Sequence, residues 1–142
     1  MKNRTVTLAN ISCGGLDCVE FPARALKRWE NTVRGYGSEP SEELIRSIEK
    51  LMLRYSLLAM GQTPGRYAYA LPTGAGKTQS IVAWLATLHE TPDAEWVSVA
   101  VCASKVEALC DLKRDLIANG VPAEKIGLLH SYKYNKKYDP DF

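Results

Sequence analysis

The chain has 142 residues, 46% of them hydrophobic and 24% charged, with a formal net charge of +2. That balance excludes a disordered chain and suits one ordinary domain with a sizeable core. The charge is too weak to demonstrate a nucleic-acid partner, which depends on where cations cluster. No apolar run is long enough to span a bilayer, and Thr, Asn and Ser interrupt the stretch after the basic start Met1-Lys2-Asn3-Arg4, so no signal peptide is read and a cytoplasmic location is expected. The four cysteines lack the spacing of a secreted disulfide framework.

Thr5–Ile11 is β-prone, and Cys13-Gly14-Gly15 reads as a turn. Pro22–Arg34 reads as a helix, with Pro22 in its first turn, Leu26, Trp29 and Val33 at helical spacing, and Gly35 as a stop. Gly35–Pro40 has linker composition. A longer helix is expected from about Glu42 to Met60. Ser41 (or Ser38) caps it, Glu42 and Glu43 suit its positive end, and Leu44, Ile48, Leu51, Tyr55 and Leu58 form its stripe. Residues 1–60 thus form a mainly helical arm. From Tyr67 the pattern alternates: strand Tyr67–Leu71, helix Lys77–Leu88, strand Trp96–Cys102, helix after Ser104, strand Ile126–Leu129. In the second of these helices Val106, Leu109, Cys110, Leu116 and Ile117 are expected to be buried. Ser104 and Glu107 are spaced as a capping box, and Asn119-Gly120-Val121-Pro122 is a stop. This order implies an α/β fold with a parallel sheet over 61–142.

Between the first of those strands and its helix stands Pro72-Thr73-Gly74-Ala75-Gly76-Lys77-Thr78. A triphosphate must be taken partly out of water, and backbone N–H groups of a tight loop can face it without a mobile side chain. Gly74 and Gly76 allow close approach and backbone angles closed to other residues. The following helix adds the positive end of its dipole. Lys77 supplies a point charge to the β and γ phosphates, and the Thr78 hydroxyl can ligand Mg²⁺. The generic phosphate-loop pattern has a further Gly where this chain has Leu71.

The Pro-Thr-Gly-x-Gly-Lys-Thr form resembles the phosphate loop of superfamily 2 helicases. The stretch from Tyr67 onward is similar to the first RecA-like domain of that family. The resemblance implies a three-layer parallel sheet, ATP and Mg²⁺ as cofactors, Lys77 and Thr78 as catalytic groups, and nucleic acid as partner. It places Ala103-Ser104-Lys105 where the family touches nucleic-acid phosphates, while helix capping alone also explains Ser104. The loop Leu129-His130-Ser131-Tyr132 is a weaker match. The family's acidic Asp-Glu motif, which holds Mg²⁺ and positions water, has no counterpart, nor is there a second RecA-like domain. The expectation is therefore a truncated front part of a longer ATPase.

Other signals are read as structural. Thr63-Pro64-Gly65-Arg66 is a turn. Gln62 is an outside candidate for adenine. Asn135–Asp139 misses the guanine-reading spacing by one place, and Tyr132–Tyr138 reads as a frayed terminus rather than a stacking platform. Cys13 and Cys18 lack zinc spacing, while Cys102 and Cys110 fall on expected buried positions. Arg24, Lys27, Arg28 and Arg34 either touch nucleic acid or form a solvated face. Three functions remain open: the helicase-like ATPase, another P-loop NTPase, and a non-catalytic binding module.

Overall fold

A computed structural model of the chain describes residues 12–13, 16–17, 19–92, 94 and 97–129. They group into two units that divide between Val97 and Ser98.

The first unit opens with a short antiparallel pair, β1 (Ser12–Cys13) and β2 (Leu16–Asp17), in which Ser12 faces Asp17 and Cys13 faces Leu16. Asp17 then starts α1 (Glu20–Gly35). Its carboxylate accepts the N–H groups of Glu20 at 2.9 Å and Val19 at 2.8 Å. These bonds, Glu20's foremost, hold Asp17 below the usual carboxylate range. Phe21, Ala25, Trp29 and Val33 recur every fourth residue, so they share one face of α1, and all four are buried. The helix ends at Gly35, as expected, and its closure runs through Gly37. Gly37 has φ +82°, its N–H donates to Arg34 O, and Ser38 N–H reaches back to Val33 O, a Schellman closure.

In α2 (Glu42–Ala59) the Ser41 hydroxyl accepts Leu44 N–H at 3.2 Å, as the capping pattern requires. Ile48, Leu51, Met52 and Ser56 are buried, while Leu58, expected on the stripe, is exposed. The third helix, α3 (Lys77–Glu90), packs against both α1 and α2. It is buried on more than one face, through Ser80, Val82, Ala83, Trp84, Ala86, Thr87 and Leu88. Trp84 stands edge-on to Phe21 and Tyr55, with ring centroids 5.7 and 5.8 Å away. Its indole N–H donates to Ser56 Oγ at 3.1 Å, and the Ser56 hydroxyl donates to Met52 O at 2.9 Å. The polar atoms at the centre of this core are thereby satisfied.

The second unit contains α4 (Val106–Ala118) and a short 3-10 turn at Ala123–Lys125. Leu112 and Leu116 are the buried residues of α4; of the others expected there, Val106 and Leu109 are half-buried and Ile117 is exposed. The expected Ser104–Glu107 capping box is not formed. The helix begins one residue later, with Lys105 in the capping position and no side-chain cap, so Ser104 lies outside the turn it was expected to close.

The expected three-layer, RecA-like parallel sheet is not there. The described residues are mainly helical and their only sheet is the β1–β2 pair. Tyr67–Leu71, residues 97–102 and Ile126–Leu129 belong to no strand. The reason is physical: Val and Tyr favour a pleated, half-buried surface, yet a strand exists only where a neighbour supplies the ladder. Here Tyr67, Tyr69, Val99 and Leu129 are exposed. Tyr67 is instead held locally. Arg54 stacks 4.0 Å from its ring centroid and its hydroxyl donates to Thr63 O. With no covered sheet, Cys102 is exposed and Cys110 half-buried, against the expectation that both are buried. The strand expected at Thr5–Ile11 lies outside the described residues. No helix among them is long and apolar enough to cross a membrane.

Candidate functional site

The segment Pro72–Thr78 leads directly into α3. Ala75 N–H donates to Pro72 O at 3.2 Å, folding Pro72–Ala75 into a tight turn. Gly74 and Gly76 both have φ +80°, the left-handed region that side chains disfavour. At Gly76 glycine is required twice over, because a Cβ there would lie 2.9 Å from the indole nitrogen of Trp29.

That contact is the anchor of the loop. Trp29, fully buried on α1, donates its indole N–H to Gly76 O at 2.9 Å. The same carbonyl accepts the first bond of α3, from Ser80 N–H at 2.9 Å. The Ser80 hydroxyl in turn donates to Lys77 O at 2.6 Å. The last turn of the loop is thus tied to the hydrophobic core, while Pro72, Thr73, Gly74, Lys77 and Thr78 face solvent.

The start of α3 has an unusual electrostatic arrangement. The N–H groups of Lys77 and Thr78 point out of a helix end and have no partner within the helix. No side chain caps them, and no acid stands in the first turn. The other three α-helices among the described residues each carry acid there: Glu20 in α1, Glu42 and Glu43 in α2, Glu107 in α4. In α3 the first residue is a cation. Lys at the positive end of a helix dipole is unfavourable by about 0.3–1 kcal/mol. The Lys77 ammonium folds back and donates to Leu71 O at 2.9 Å. An anion seated at the loop would satisfy the helix end and Lys77 together.

Of the residues expected at the nucleotide site, Pro72 to Thr78 form one continuous turn and helix start. Lys77 and Thr78 sit side by side on the first turn of α3, both exposed. Ala103, Ser104 and Lys105 are exposed and lie immediately before α4, in the second unit. His130, Tyr132 and Asn135–Asp139 lie outside the described residues. Among the described residues, no group of three His, Cys, Asp or Glu side chains is placed to hold a metal. Mg²⁺ needs no such cage where a substrate phosphate and one hydroxyl supply ligands, and Thr78 offers that hydroxyl.

Sequence reasoning placed Trp29 on a core stripe but missed its tie to the loop. A buried indole N–H always seeks a partner, so a signal existed, but spacing along α1 could not say which carbonyl would take it. No protein-family description, no curated protein and no solved structure matches the chain.

Proposed function

We propose that Pro72–Thr78 binds the phosphates of a nucleoside triphosphate, ATP with Mg²⁺. The observation that carries this reading is the left-handed Gly74 and Gly76 turn delivering an uncapped, acid-free helix start headed by Lys77. In this reading the backbone N–H groups at the start of α3 face the phosphate oxygens. Lys77 leaves Leu71 O for the β and γ phosphates, and Thr78 contributes its hydroxyl to Mg²⁺. Trp29 positions the loop through Gly76 O and touches no ligand.

The wider reading, an ATPase of helicase-like kind that acts on nucleic acid, comes from the loop sequence. The geometry supports its first step, capture of the triphosphate. The test is calorimetric titration with Mg-ATP beside Lys77→Ala. Loss of a phosphate-bound charge should weaken binding at least tenfold, on the order of 2 kcal/mol. Equal affinity of the two proteins, or no binding by either when both are folded, would overturn the proposal. Competition by GTP tests the choice of base.

A further inference from the structure

A second feature of the first unit is not used by the loop. On the solvent side of α1, Arg24, Lys27, Arg28, Asn31 and Thr32 line an open cleft of about 480 Å³. These positions follow i, i+3, i+4, i+7 and i+8, so they run along one helix face over about 12 Å at 1.5 Å per residue.

Three cations meet one carboxylate here. Arg28 pairs through Nη2 with Glu90, and Arg24 donates to Thr91 Oγ1 at 2.8 Å. These contacts hold the end of α3, but they do not use up the donors. The Arg28 side chain is still a quarter exposed. Lys27 is exposed and is in no ion pair among the described residues. Asn31 adds a neutral donor further along the same face, and the Thr32 hydroxyl is engaged with Arg28 O at 3.0 Å.

We infer that this face of α1 binds the phosphodiester backbone of nucleic acid. A single free phosphate would occupy one point of the row. The row itself, about 12 Å long, is long enough to meet more than one phosphate of a strand. Its cations supply counter-charge, and no aromatic side chain lines the cleft to stack on a base. Binding is therefore expected to ignore sequence and to weaken steeply with salt. The inference deepens the proposed link to nucleic acid but uses none of the loop residues.

The experiment is fluorescence anisotropy of a labelled oligothymidylate with the full chain across a salt series, beside Lys27→Gln, Arg24→Gln and Lys77→Ala. Circular dichroism and melting confirm that each variant is folded, and the exposed Lys27 provides the change least able to disturb folding. Lys27→Gln and Arg24→Gln should each weaken binding about threefold or more and flatten the salt slope by about 0.7, the loss of one single-strand phosphate contact. Lys77→Ala should bind the oligonucleotide like the parent while losing Mg-ATP. An unchanged slope in Lys27→Gln would overturn the inference. So would loss of oligonucleotide binding in Lys77→Ala, which would move the strand to the loop. Displacement by inorganic phosphate at matched phosphate concentration would make the cleft a site for free phosphate. Binding to phosphatidylserine vesicles but not to the oligonucleotide would make it a lipid site.

Discussion

The starts of α2 and α3 lie in the same unit and solve the same problem in opposite ways. Each helix leaves N–H groups without partners at its first turn. At α2 the chain closes the matter itself: Ser41 caps Leu44 N–H, and Glu42 and Glu43 complement the dipole. At α3 it does neither, and it places Lys77 where an acid would be favourable. The first end is finished for stability. The second is left without cap or acid, and its shape is maintained from behind by Trp29 and two left-handed glycines. The difference teaches that a candidate binding end stands out by the stabilising residues missing from it, once the backbone that presents it is held.

The comparison breaks most easily at its anchor. Trp29→Ala removes a fully buried indole and its bond to Gly76 O, and should destabilise the chain by about 3–5 kcal/mol in a urea titration. A loss below about 1 kcal/mol would mean that the loop end is not held by the core. Next in size is a paired measurement at the two glycines. Gly74→Ala meets open space and should cost about 1–2 kcal/mol for the left-handed backbone alone. Gly76→Ala adds the clash with the Trp29 indole and should cost clearly more. Equal melting temperatures for the pair would refute the close approach at Gly76.

Two smaller effects sharpen the contrast between the helix starts. Ser41→Ala should lower stability by about 1 kcal/mol and leave Mg-ATP affinity untouched. Thr78→Asp should do the reverse: the carboxylate complements the dipole of α3, raising the stability of the ligand-free chain by about 0.3–1 kcal/mol, while it repels the triphosphate. A variant that gains stability and keeps full Mg-ATP affinity would show that the acid-free start of α3 serves no anion.

How far the sequence could be read depended on the range of the interaction. The helices at Glu20–Gly35, Glu42–Ala59 and Lys77–Glu90 were legible from apolar spacing near 3.6 residues, and Ser41 was legible as a cap, because these are contacts within a few residues. The glycine turn before Lys77 was legible for the same reason. The strands expected at Tyr67–Leu71 and Ile126–Leu129 were not formed, because apolar and aromatic content marks a capacity for pairing and says nothing of a partner. The Ser104–Glu107 spacing failed on a shift of one residue at the helix start, the scale at which capping geometry is decided.

The sequence by itself determined where the chain coils into helices and where glycine permits the turn before Lys77, since both follow from local backbone preference. The tertiary structure decided the rest. It set Trp29 of α1 against Gly76, buried α3 against both α1 and α2, and drew Arg24 and Arg28 to the end of α3. Each of these contacts joins residues 28 to 67 positions apart. At that separation no periodicity selects a partner, and only the packing of one helix face on another brings the groups within bonding distance.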